Sequence, residues 1–171
     1  MAKATKADKY LHRPELTDLI TAQAAEMTGD RKKAEEVYKR LVTRDETRFV
    51  GIRGLMKQKL AAGDTDTALK LAERAFAIKP KHVEVQDTLL RLQAEKADYA
   101  GARATLATKL KQGALPRDVY RRRDAVLALS EALAMEEKGD HGAANGAAIR
   151  ANKASPDLIP AAAMAARAYI G

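Results

Sequence analysis

Gly63-Asp64-Thr65-Asp66-Thr67-Ala68-Leu69-Lys70-Leu71-Ala72-Glu73-Arg74-Ala75 decides how this chain folds. It opens with a turn dipeptide and runs into Ala68, Leu71, Ala72 and Ala75, whose spacings of three and four share one helical face. Gly-Asp returns at 29–30 and 139–140 and Ala-Asp stands at 97–98, so the turns are 34, 34 and 42 residues apart. A turn repeated at a fixed interval of this size is the signature of stacked two-helix units. Such a unit cannot bury its apolar face alone and must lean on its neighbours. The product is an elongated surface for holding other molecules rather than a closed pocket for chemistry.

Placing each turn dipeptide at positions 15 and 16 of a 34-residue frame gives units at 15–48, 49–82, 83–116 and 117–158. The fourth carries eight extra residues, 117–124, ahead of its frame at 125–158. Positions 20, 23, 24 and 27 then align as Ala34, Val37, Tyr38 and Leu41, as Ala68, Leu71, Ala72 and Ala75, as Ala102, Thr105, Leu106 and Lys109, and as Ala144, Ala147, Ala148 and Ala151. Ala at position 20 in every unit suits a close helix crossing that a larger side chain would force apart. Pro80 and Pro156 fall at position 32, where a residue without an N–H stops the second helix. Lys109 fits the apolar face poorly. The pattern predicts an all-α, right-handed α-solenoid with helices over 15–28, 31–43, 47–61, 65–78, 81–95, 98–112, 116–138, 140–154 and 158–170. Residues 1–14 read as a mobile basic leader ahead of a repeat domain at 15–171, whose terminal helix at 158–170 looks like half of a fifth unit. That unpaired helix is expected either to mark the chain as a fragment or to pack on another copy as a homo-oligomer contact.

These residues resemble the tetratricopeptide repeat, which asks for small residues at positions 8 and 20, a large one at 24, Ala at 27 and Pro at 32. The resemblance covers about residues 15–158 and is poorer in the first helices, where positions 4, 7 and 8 of the first unit are Asp18, Thr21 and Ala22. In this repeat class positions 2, 5, 9, 12 and 13 of the first helix line a concave groove. The resemblance thus implies a partner-binding groove that includes Leu19, Gln23, Val50, Arg53, Lys57 and Arg91. Its mixture of apolar side chains and cations suits an acidic surface or an extended acidic peptide.

The eight extra residues, Arg117-Asp-Val-Tyr-Arg-Arg-Arg-Asp124, add roughly two turns, about 12 Å, to the helix they precede. They present Arg117, Arg121, Arg122 and Arg123 on an overhang. A solvated basic helix end is the ordinary reading of such a run; the sharper one is a docking point for an acidic partner, a phosphate or an anionic membrane surface.

Asp45–Leu55 (DETRFVGIRGL), together with Leu16–Ala25, Arg121–Leu129 and Pro160–Arg167, resembles the C-terminal repeat region of bacterial HemY proteins, which are associated with haem biosynthesis. That resemblance implies a cytoplasmic repeat region behind an N-terminal anchor in the inner membrane. It also implies a role in organising haem-biosynthetic enzymes as protein partners, and it carries over no catalytic residue.

Composition narrows the classes further. With 4% aromatic residues and no Trp, the chain lacks what strands of a sandwich or barrel favour. The absence of Cys removes disulfides, zinc–thiolate sites, thiolate nucleophiles and covalent haem attachment together. No apolar run approaches the roughly 20 residues that span a bilayer, and the N-terminus has no apolar segment of a secretory signal. His12, His82 and His141 form no metal-ligand spacing. The adjacent pairs Glu35-Glu36 and Glu136-Glu137 point about 100° apart on their helices, so they cannot cooperate on one bond. No cofactor, metal site or enzyme activity is expected. The formal charge of +8 raises nucleic acid as a partner, but the aromatic residues are scattered and offer no base-stacking platform. The sequence thus points to a non-enzymatic protein-interaction scaffold of HemY-like type, ahead of a generic tetratricopeptide adaptor and then an RNA-binding helical repeat.

Overall fold

Each expected Gly-Asp or Ala-Asp turn joins two helices in the computed structural model, which describes residues 13–170. The first hairpin pairs α1 (Pro14–Met27) with α2 (Arg31–Val42), and the second pairs α3 (Arg48–Ala61) with α4 (Thr65–Ile78). The third pairs α5 (Val83–Glu95) with α6 (Tyr99–Lys111), the fourth α7 (Arg117–Glu137) with α8 (His141–Ala154), and α9 (Ile159–Ile170) follows. The described residues thus form nine helices and no strand, and each helix end lies within two residues of its expected place. Most of the expected leader lies outside the described residues. Pro14 opens α1 at a position where its missing N–H costs no hydrogen bond.

The four hairpin turns are built alike. Gly29, Gly63, Ala97 and Gly139 all take positive φ, from +58° to +80°. In each turn the next residue, an Asp, donates its backbone N–H to a carbonyl five residues back: Asp30 to Ala25, Asp64 to Lys59, Asp98 to Gln93 and Asp140 to Met135, at 2.8–3.0 Å. This is the Schellman closure of the first helix. The same four Asp side chains accept the N–H of Lys33, Thr67, Gly101 and Ala143 and so cap the second helix. One dipeptide therefore ends one helix and starts the next. The third unit has Ala114 at position 32 where the second and fourth have Pro, and α6 closes in the same way on Gly113, at φ +69°, with Ala114 N–H donating to the Lys109 carbonyl.

The chain divides into two compact units, one ending at Val85 and the other beginning at Gln86. In the first, α1 packs on α2, α2 on α3 and α3 on α4. Its core combines Val37, Leu41, Ile52, Leu55, Met56 and Leu71 with Ala22, Ala25, Ala34, Ala68, Ala72 and Ala75. Two glycines let α3 approach α2 closely. A Cβ on Gly51 would stand 2.7 Å from the Tyr38 carbonyl oxygen, and one on Gly54 would overlap the Tyr38 ring. In the second unit α6 packs on α7, α7 on α8, and α9 on both α8 and α7. These last contacts are made by small side chains: Ala128, Ala151 and Ala161 form one cluster, and Ala132, Ala147 and Ala148 form another with Met164 against it.

All sixteen second-helix positions aligned in the sequence are buried, including the four alanines at position 20. Lys109 is among them. Its ammonium ion-pairs with Asp87 of α5, which is how a cation is accommodated on that face. Asp18, the misfit in the first unit, is buried and accepts hydrogen bonds from Arg40 at 2.9 Å and Arg44 at 2.9 Å. The Arg40 guanidinium, helped by Arg44, holds its carboxyl below the usual carboxylate range in spite of burial. Burial and the neighbouring Glu26 carboxylate push the Tyr38 phenol well up.

Candidate partner-binding surfaces

In the first unit, α1 carries Leu19, half-buried, and Gln23, exposed, while α3 carries Val50, Arg53 and Lys57. The two α3 cations stand one turn apart and share a single carboxylate. Arg53 Nε donates to Glu84 at 2.7 Å, and Lys57 Nζ lies 3.0 Å from the other Glu84 oxygen. Burial works against the Glu84 charge, but Lys57 and Arg53 together hold its carboxyl below the usual range. In the second unit Arg91 pairs with Glu95 one turn along α5, at 2.8 Å. Every cation of the expected groove therefore already faces an acid of this chain. An anionic partner must displace or share those acids.

The basic overhang has a different character. The extra residues do extend the helix, since α7 starts at Arg117 and runs for 21 residues. Arg117, Arg121, Arg122 and Arg123 are all exposed. Arg122 reaches Asp157, in the turn before α9, at 2.5 Å, and Ser155 donates to the same Asp157. The Ser155 hydroxyl and Arg122 keep the Asp157 carboxyl below its ordinary value. Asp124 turns away to Arg103, which it meets at 2.7 Å, and Glu131 joins Arg103 to Arg150. Arg117, Arg121 and Arg123 make no ion pair with a carboxylate among the described residues.

Two clefts of the second unit border this overhang. One of about 340 Å³ lies between Asp118, Arg121 and Arg122 on one side and Ala154, Ser155, Pro156 and Asp157 on the other. The second, about 390 Å³, is a mainly apolar trough lined by Leu90, Arg122, Arg123, Val126 and Leu127. Val126 is 46% exposed, and Leu133, two turns on, is 48% exposed. Val126 and Leu133 stand at positions 2 and 9 of the fourth frame, the positions that Val50 and Lys57 hold in the second; extending that register to the fourth unit finds them in the sequence.

The described residues contain no group of three or more His, Asp or Glu placed to hold a metal ion. His82 packs its ring 5.0 Å from Phe49, over which Lys79 also lies, and His141 is exposed at the start of α8. His12 lies outside the described residues. No helix among the described residues is long and apolar enough to cross a membrane.

Comparisons with known proteins agree with this architecture. The tetratricopeptide repeat family matches residues 59–120. No curated protein matches the chain in sequence. Among solved structures, a crystal structure of MamA protein is similar with a TM-score of 0.51 at 17% identity, covering 91% of this chain and 80% of that one. A double mutant of MamA, RS-1 ArsTM, is similar with a TM-score of 0.50 at 15% identity, covering 86% and 78%. The fold is all-α and of the tetratricopeptide-like solenoid class.

Proposed function

We propose that this chain is a non-enzymatic scaffold that holds protein partners on the exposed faces of its first helices. One observation carries the reading: helices that bury alanine on one side leave larger side chains in solvent on the other, with cations beside them. Leu16 and Ile20 on α1 and Val126 and Leu133 on α7 are all exposed, and Arg53, Lys57 and Arg91 stand on the first helices between them in sequence. The groove reading takes in Leu19, Gln23, Val50, Arg53 and Lys57 in the first unit and Arg91 in the second. Apolar anchors with charged surroundings are what peptide-binding surfaces offer.

The finer reading is that of the soluble repeat region of a HemY-like protein that gathers haem-biosynthetic enzymes at the membrane. The phrases at 16–25, 45–55, 121–129 and 160–167 support it. A tetratricopeptide adaptor for another acidic partner is the alternative. Affinity capture with the chain as bait, followed by binding of each purified candidate, tests both levels. Enrichment of late haem-biosynthetic enzymes supports the finer reading, and saturable protein binding without them retains only the adaptor. RNA retained at physiological salt, with no saturable protein partner, overturns the scaffold. Because Glu84 occupies both Arg53 and Lys57, Glu84→Gln is expected to tighten binding of an acidic partner in the first unit.

A further inference from the structure

We infer that the two extra turns of α7 build a docking site for an acidic segment of a partner protein that inserts one apolar side chain. The inference rests on the scaffold reading and adds the chemistry of the partner. Arg122 and Arg123 belong to the eight residues by which the fourth unit exceeds its 34-residue frame. They rim the 390 Å³ trough whose apolar part is Leu90, Val126 and Leu127. Val126 follows Arg122 and Arg123 by four and three residues and Leu127 follows Arg123 by four, so these side chains share one stretch of helix surface.

The charge pattern selects the occupant. Of the acids near the overhang, Asp124 is held by Arg103 outside it, and Asp157 is taken by Arg122 alone. Arg123 and, two and six residues before it, Arg121 and Arg117 face solvent without a carboxylate partner among the described residues. A peptide that brings its own carboxylates to Arg123 makes charge-assisted hydrogen bonds the chain itself leaves unmade. Its apolar residue covers Val126, which α7 otherwise leaves in water. Nucleic acid fits less well, because no aromatic ring lines the trough for a base to stack on. A flat anionic lipid surface fits less well too, because Asp118 and Asp157 stand in the neighbouring cleft and would meet it with like charge.

The test is fluorescence anisotropy with the full chain and a labelled synthetic peptide, Asp-Glu-Glu-Leu-Phe-Asp-Glu-Glu. Arg123→Glu and Val126→Asp are each expected to weaken binding by about tenfold. Lys70→Glu, an equal change of charge on exposed α4 of the other unit, is expected to leave it unchanged. A peptide with Ser in place of Leu and Phe is expected to bind about tenfold more weakly than the parent. Helix content by circular dichroism verifies each variant; should Val126→Asp unfold, Arg123→Glu and the Ser peptide still decide. Equal binding by all variants, or binding that ignores the Leu-Phe anchor, overturns the site while the scaffold reading stands. Retention of the chain on phosphatidylglycerol vesicles that Arg123→Glu abolishes, with peptide binding unaltered, also overturns it in favour of a membrane. The scaffold reading fails separately, by loss of partner capture.

Discussion

Lys109 of α6 buries its ammonium against the Asp87 carboxylate of α5, with 6% of the Lys109 side chain and 55% of the Asp87 side chain exposed. The other three hairpins place Leu41, Ala75 and Ala151 at the Lys109 position. The third hairpin thus substitutes an ion pair for an apolar contact, and the pair has unequal members. Removing Asp87 leaves a buried cation with no counter-charge, whereas removing Lys109 leaves an acid that is already half in water. Asp87→Asn is therefore expected to cost about 1–2 kcal/mol in urea unfolding, discounted from a fully buried pair because Asp87 is exposed. Lys109→Leu is expected to be neutral or stabilising. Equal losses for the two variants would contradict this asymmetry.

Ala97 occupies the one hairpin turn of the four without glycine, at φ +58°. A side chain is disfavoured there by its own backbone, and glycine is not. Ala97→Gly is expected to stabilise the chain by about 0.5–1 kcal/mol, net of the entropy glycine adds to the unfolded state. Gly63 is the control, because a Cβ there meets nothing within 4 Å and only φ opposes it. Gly63→Ala is expected to lose about 1 kcal/mol. Chemical denaturation of both variants checks the opposite signs.

What the sequence made legible follows from how locally each feature is determined. The turns need only a residue tolerant of positive φ and an Asp after it, so four dipeptides located them. The buried faces of α2, α4, α6 and α8 follow from a period set by helix geometry, and even Lys109 fell on the buried side it was aligned to. The groove was less legible, because its charge state depends on partners far along the chain. Arg53 and Glu84 are 31 residues apart and meet only once α3 and α5 are placed. Asp18 looked like a departure from the repeat pattern because its reason lies elsewhere, in Arg40 on α2 and Arg44 in the turn after it. Val126 and Leu133 were not legible as surface residues because apolar side chains on a first helix are equally compatible with the core, and only the packing of α7 through Ala125, Ala128 and Ala132 leaves them in solvent.

Asp18 gives the chain an acid-sensitive contact. Its folded carboxyl titrates below the ordinary 3.8, mainly through the Arg40 hydrogen bond. A depressed folded value means the stabilisation is complete above the unfolded value and is lost as pH falls through the folded one. Asp18→Asn is therefore expected to be less stable than the parent at neutral pH, by about 1–3 kcal/mol for lost hydrogen bonds to a charged group. The gap between the two proteins is expected to close as pH drops below about 3.8. Thermal unfolding of both across that range measures it. A gap that stays constant in acid means the pair contributes through shape and not through charge.

Gly54 and Tyr38 set the spacing of α3 on α2. In a helix interior Ala is ordinarily better than Gly by about 1 kcal/mol, so local propensity favours Gly54→Ala. The Tyr38 ring opposes it, since a methyl group at Gly54 would overlap ring carbons, and Tyr38 is itself buried and packed. Overpacking of this kind costs about 1–3 kcal/mol, and the helices also have Gly51 against the Tyr38 and Val42 backbone, which leaves them little room to slide. The steric term is expected to win, with a net loss of about 1–2 kcal/mol for Gly54→Ala. Combining it with Tyr38→Leu removes the ring that the methyl strikes. The double variant is then expected to be more stable than the sum of the two single losses, and a double-mutant cycle in urea reads that coupling. Additive losses would mean that Gly54 is present for some reason other than the ring above it.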